Sequence, residues 1–184
     1  MIDSQARRRR SIRLLGYDYA QAGWYFVTIC TWGKLCVLGQ VGDGVMRLNE
    51  IGGVVQEEWL RTAAIRQEVE LDVFQIMPNH IHGIVAITRS ADQPVGAHGR
   101  APLRRAPKSL GALVAGFKSA ATKTINQLRA TPGNPVWQRN YYEHVIRNEK
   151  ALNRIRQYIL DNPAKWDEDP ENPDVLRSNA HGQV

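Results

Sequence analysis

The sequence predicts an α+β fold, a mainly antiparallel sheet with helices packed on one face. Three observations carry that reading. Aromatic and β-branched runs recur at Trp24–Thr31, Val69–Met77 and Ile81–Thr88. Two segments, beginning at Asn49 and Ser109, repeat apolar residues at helical spacing. Neighbouring extended runs are joined by short connections rich in Gly, Pro, Asn and Asp, so strands and helices mix through hairpins. The 184 residues fit one domain with tails better than two thin cores.

Taken in order, Trp24–Thr31 (WYFVTICT) reads as a strand covered on both faces, because no polar alternation interrupts it. Leu35–Leu38 and Val45–Leu48 flank Gly39, Gly42, Asp43 and Gly44, which predicts a hairpin. Asn49 caps a helix to about Ile65, with Ile51, Val54, Val55, Trp59 and Leu60 as its apolar stripe. Val69–Met77 and Ile81–Thr88 form two further strands joined at Pro78-Asn79. Residues 89–108 mix Gly and Pro with basic side chains and read as a mobile loop. Ser109 caps a second helix through Leu128, with Leu113, Val114, Phe117 and Ala121 facing the core. After a break at Thr131–Pro135, Val136–Ile146 is a short strand or extended segment. A last helix runs from Asn148 to Asp161 and stops at Asn162-Pro163, where proline cannot continue it.

Composition narrows the class. With 43% hydrophobic and 23% charged residues the chain can build a core, which excludes general disorder. No stretch reaches the roughly eighteen apolar residues of a membrane span, and no apolar segment follows the N-terminal arginines to form a signal. Cys30 and Cys36 are too few for a disulfide scaffold and lack metal-site spacing, so a reducing, cytoplasmic setting is predicted. The net charge of +6 is distributed unevenly. Residues 1–13 hold five arginines against Asp3, whereas residues 14–88 hold four basic and eight acidic side chains. Residues 89–110 hold five basic side chains against Asp92, and residues 111–160 hold eight against Glu143 and Glu149. The segment from Asp161 holds six acidic and two basic side chains. Such polarity suits a polyanion bound along one side, and equally a set of solvated tails and faces.

The sharpest motif is Pro78-Asn79-His80-Ile81-His82-Gly83. On a strand His80 and His82 point to one face and Ile81, Val85 and Ile87 to the other. Two imidazoles so placed can direct ring nitrogens at one divalent ion, or simply pack and hydrogen-bond. On the last helix Leu152, Ile155 and Ile159 form the core stripe, and Tyr158 and Asn162, four apart, share a neighbouring face. A tyrosine hydroxyl beside a metal can act as a nucleophile, and an amide oxygen can be a further ligand; a packed ring and a C-cap fit as well.

Together, Arg8–Thr31 (RRRSIRLLGYDYAQAGWYFVTICT), MPNHIHGIV, GFKSAATKTIN and PVWQRNYYEHVIRNEKALNRIRQYILDNP resemble the REP-associated tyrosine transposases, relatives of insertion-sequence transposases in the single-tyrosine HUH endonuclease superfamily. The resemblance implies a ferredoxin-like fold of four or five antiparallel strands with helices on one side. The resemblance covers about Arg8 to Pro163, and with the charge distribution it divides the chain into a basic arm (1–13), a catalytic domain (14–163) and an acidic tail (164–184). It implies His80 and His82 as metal ligands, Tyr158 as the catalytic tyrosine and Asn162 as third ligand for Mg²⁺ or Mn²⁺, although insertion-sequence relatives carry glutamine there. The implied activity is cleavage and transfer of single-stranded DNA near palindromic hairpins through a 5′-phosphotyrosine, by a monomer or a homodimer. A non-catalytic hairpin-binding protein and a metal phosphodiesterase that leaves Tyr158 unused are the alternatives. Arg7, Arg8, Arg9, Arg10, Arg104, Arg105, Lys118, Trp137, Arg139 and Arg154 are the candidate DNA contacts. Tyr141 and Tyr142 read as core or stacking residues and His144 as a packed one, while His98 and His181 are given no role.

Overall fold

The computed structural model describes residues 17–19, 21–88 and 108–175. The chain lays down β1 (Gly23–Cys30), β2 (Gly39–Gly42), β3 (Val45–Leu48), α1 (Glu50–Ile65), β4 (Val69–Met77), β5 (His80–Ile87), α2 (Leu110–Leu128), β6 (Tyr142–Ile146) and α3 (Glu149–Asp161). Four strands form an antiparallel sheet in the order β4-β5-β1-β6, and β2 pairs with β3 as a separate hairpin. The α+β class and the antiparallel sheet agree with the sequence. The first strand of the small hairpin lies later than predicted, at Gly39–Gly42, because Asp43 (φ 54) and Gly44 (φ 71) supply the left-handed turn and fix the register back from there.

Each α-helix starts where a side chain takes over an orphan amide. Asn49 accepts from Gly52 N at 3.0 Å, Ser109 from Ala112 N at 3.2 Å and Asn148 from Ala151 N at 2.8 Å; each cap stabilises by about 1 kcal/mol.

The three helices divide between the faces, and here the expectation of helices on one face is refined. α1 and α2 cover the face of Tyr25, Val27, Ile29, Ile81, Val85 and Ile87 and bury Val55, Trp59, Leu113, Val114 and Phe117 against it. α3 covers the other face, where Phe26, Ile84, Ile146 and Ile159 form a second, smaller cluster. β1 and β5 are therefore buried on both sides. Leu60, expected in the α1 stripe, is 50% exposed, and Thr62 is buried in its place. Gly83 is required under Trp59: a Cβ there would stand 2.6 Å from the indole ring. That close approach lets the largest α1 side chain pack directly against β5.

The last α-helix ends before Asn162-Pro163, as the sequence predicts. α3 stops at Asp161, and Pro163–Glu168 continues as a 3-10 turn with proline in its first position, where no N–H is needed. Residues 164–175, expected to belong to a tail beyond the domain, then fold back: the Glu171 carboxylate pairs with Lys34 at 2.7 Å, and Asp169 and Asn172 are buried.

Candidate metal and tyrosine site

His80 is the first residue of β5 after the Pro78-Asn79 turn, paired across the sheet with Cys30, and His82 is paired with Thr28. Both imidazoles point to the α3 face, with exposures of 0% and 3%. Asn79 decides the tautomer of His80. Its Nδ2 donates to the carbonyls of Lys34 (3.1 Å) and Glu171 (2.7 Å), so its Oδ1 is the atom facing His80 Nδ1 at 2.8 Å. Nδ1 must then carry the proton, which leaves Nε2 with its lone pair free. His82 Nδ1 meets Thr28 Oγ1 at 2.9 Å, and the two Nε2 atoms face each other at 3.0 Å. Burial pushes both imidazoles down to about 3, helped by Lys34 for His80 and by His80 itself for His82. Both are neutral at pH 7, the form in which imidazole binds metal.

Two buried oxygens lack hydrogen-bond partners, Asn162 Oδ1 and Asp169 Oδ2, and the Asn162 side chain hydrogen-bonds Tyr158. Asp169 Oδ2 lies 3.8 Å from His80 Nε2, while its other oxygen accepts from Glu171 N. Donor atoms of His80, His82 and Asp169 all lie within 4.8 Å of one another. A buried carboxylate beside two neutral imidazoles is costly unless a positive charge joins it. Two imidazole nitrogens with carboxylate and amide oxygens are a fitting donor set for a divalent cation.

Tyr158 reaches this cluster from α3, its hydroxyl 3.3 Å from His82 Nε2. Burial is the main reason that its pKa is raised; the Asp169 charge adds to the rise, and the Asn162 amide opposes it. The ring is set by Phe26, edge-on at 6.1 Å, which also stacks on His82 at 5.4 Å. The helix is set by Ile159, fully buried, and by Arg156, whose Nε and Nη2 bond Asp72 Oδ2 at 2.9 and 2.5 Å. Asp72 lies in the irregular stretch of β4 between Leu71 and Phe74, and the Arg156 guanidinium also sits 6.0 Å over the Trp24 ring. One chain by itself thus brings the histidine strand and the tyrosine helix together.

No family model matches the chain. An uncharacterized protein of Haemophilus influenzae is 37% identical over 166 residues, covering 88% of this chain and 91% of that protein. The chain belongs to that protein's family. Its fold is that of the REP-associated tyrosine transposases: a solved structure of such a transposase bound to a REP hairpin superposes with a TM-score of 0.57, at 17% identity, over 84% of this chain and 74% of that one.

On this transposase fold, His80, His82, Tyr158 and Asn162 gather at one place, and Arg139 and Arg154 are exposed. Two candidate DNA contacts are engaged elsewhere. Lys118 donates to the carbonyls of Gln138 and Asn140 at 2.7 and 2.9 Å, tying α2 to the segment before β6. Trp137 is 6% exposed and packs on Phe117 at 5.4 Å, within the main core. His144, expected to be packed, is exposed on β6. Arg7, Arg8, Arg9, Arg10, Arg104 and Arg105 lie outside the described residues. Cys30 and Cys36 are free; burial and then Glu171 push the Cys30 thiol up to about 12, so it is no thiolate ligand. Sequence reasoning missed Asp169, Asn79 and Thr28. Asp169 sits in an acidic run with no periodic signal, and the hint available was the Asn-Pro that turns the chain back toward β5. Among the described residues no helix is long and apolar enough to cross a membrane.

Proposed function

We propose that the protein is a metal-dependent single-stranded DNA endonuclease and strand transferase that acts beside palindromic hairpins, with Tyr158 as its nucleophile. The observation that carries this reading is the convergence of His80, His82 and Asp169 donor atoms within 4.8 Å, with the Tyr158 hydroxyl 3.3 Å from His82 Nε2. His80 and His82 would hold the cation through Nε2, and Asp169 and Asn162 would offer the oxygens that otherwise lack partners. Two imidazoles with a carboxylate suit Mn²⁺ better than Mg²⁺, which prefers oxygen ligands throughout. When bound, the cation offsets negative charge on the scissile phosphate.

The protein's own residues do the rest. Phe26 and Ile159 hold the tyrosine ring and its helix, so the hydroxyl approaches from a fixed side. The raised pKa keeps Tyr158 protonated at pH 7, so the proton must leave as Oη attacks. The bond from phosphorus to Oη forms and the bond to the 3′-oxygen breaks; the leaving 3′-oxygen takes up a proton. A 5′-phosphotyrosine results, and a second 3′-hydroxyl reverses the step by attacking phosphorus and releasing Tyr158. Arg139 and Arg154, with the arginines at 7–10, 104 and 105, supply phosphate contacts that hold the strand without reading it. The REP hairpin bound by the transposase of similar fold supports a hairpin as the neighbouring element.

Labelled single-stranded DNA carrying a palindromic hairpin is incubated with protein and Mg²⁺ or Mn²⁺ and run on a denaturing gel. A covalent adduct that disappears in Tyr158→Phe is expected. Binding without any adduct makes the protein a non-catalytic hairpin binder, and cleavage that survives Tyr158→Phe makes it a phosphodiesterase.

A further inference from the structure

We propose that Tyr142 is a stacking platform for one unpaired nucleobase of the bound strand, next to the scissile phosphate; this rests on reading the site as one for single-stranded DNA. In the β1–β6 register Tyr142 pairs with Thr28, His144 with Phe26 and Ile146 with Trp24. Paired residues point to the same side of a sheet, so Tyr142 stands on the face of His82 and Tyr158, not on that of α1 and α2. α3 covers the Ile146 end of β6, where Ile146 is 7% exposed, and leaves the Tyr142 end open, where Tyr142 is 46% exposed.

Burial does not explain a large aromatic at that place. Tyr25 is fully buried and Tyr141 packs against the main core, both on the opposite face. β6 is an edge of the sheet, a position where proteins usually set charged residues. What Tyr142 does contact is the wall of the site. Its ring meets Phe26 edge-on at 6.1 Å, and Phe26 meets Tyr158 at the same distance. The centroids of Tyr142 and Tyr158 are therefore at most 12.2 Å apart, twice 6.1 Å. That is no more than three or four stacked nucleotides at roughly 3.4 Å each.

The chemistry selects the ligand. An exposed π-face continuous with a phosphate site takes a base without regard to its hydrogen-bonding edge. Arg139 before β6 and Arg147 after it are both exposed, so a polyanion laid along this strand meets a guanidinium at each end. The platform needs the ring of Tyr142 and not its hydroxyl.

The test is fluorescence anisotropy of a labelled single strand carrying a hairpin, at one fixed salt concentration, with the full chain. Tyr142→Ala weakens binding by roughly 5- to 100-fold, and Tyr142→Phe and Tyr142→Trp stay within about twofold of the parent. In the parent, removing bases one at a time finds one abasic position with a similar loss, and in Tyr142→Ala that position becomes silent. Unchanged binding in Tyr142→Ala, an equal loss in Tyr142→Phe, no silenced position, or no binding of the strand at all overturns the platform. Adduct formation at saturating DNA reads the chemistry separately. A Tyr158-dependent adduct without the abasic pattern overturns the platform alone, and the abasic pattern without an adduct supports the platform and removes the transferase.

Discussion

The two faces of the sheet are built for different ends. Against α1 and α2 the side chains are apolar and continuous: Tyr25, Val27, Ile29, Ile81 and Val85 meet Val55, Trp59, Leu113 and Phe117. Each fully buried aliphatic side chain there contributes about 1.5–3 kcal/mol. Against α3 the apolar cluster is small, and beside it lie two neutral imidazoles, a carboxylate oxygen and an amide oxygen, the two oxygens without partners. The first face supplies stability, and the second holds buried polar groups that cost stability and could hold a cation. The same strands carry both, because adjacent residues of β1 and β5 point opposite ways.

The largest expected effect comes from Tyr158→Phe. It removes one hydroxyl from a half-exposed side chain, so the adduct falls below detection on a denaturing gel while the thermal midpoint stays put. A midpoint that drops as it does for a core change breaks the division between the faces.

Next is the carboxylate that folds back from beyond Pro163. Asp169→Asn weakens Mn²⁺ binding, measured by calorimetry, by at least roughly tenfold. In metal-free protein it also lowers the Tyr158 pKa in a tyrosinate absorbance titration, because the Asp169 charge is one of the influences that raise it. Unchanged values in both measurements remove Asp169 from the site.

Gly83→Ala probes the other face. Its Cβ would press on the Trp59 ring at 2.6 Å, so urea unfolding gives a loss of about 1–3 kcal/mol. The Mn²⁺ affinity of the folded fraction is unchanged, which sharpens the comparison.

The polar face also has a pH signature. The folded-state pKa of each histidine lies near 3, below its unfolded value, so the unfolded chain binds more protons between those limits. In the metal-free protein stability is full above about pH 6.5 and is lost progressively as the pH falls toward 3. Denaturant midpoints across that range check it, and His82→Gln flattens the slope. The smallest effect is expected for Asp72→Asn, which loosens the Arg156 tie of α3: the rate of adduct formation drops severalfold and Mn²⁺ affinity is unchanged.

Much of the fold was legible because it is written in local periodicity. His80 and His82 on one side and Ile81 and Val85 on the other follow from the two-residue repeat of a strand, and Tyr158 with Asn162 from the helical repeat. Asn49 and Ser109 announced their helices through chemistry confined to three residues. The sheet face taken by α3 was not legible, because strands buried on both sides carry no alternation that marks one face as outer. For the same reason Trp137 and Lys118 looked available for DNA: whether a ring or an ammonium is free depends on partners distant in sequence.

By itself, then, the sequence determined most of the elements, the two imidazoles on one side of a strand, and Tyr158 with Asn162 on one side of a helix. Only the tertiary structure decided which groups complete the site. Asn79 fixes the tautomer of His80 through carbonyls 45 and 92 residues away. Asp169 joins the imidazoles because a proline-led turn reverses the chain. Such contacts leave no repeat in the sequence, since they arise from where the chain returns and not from how it locally winds.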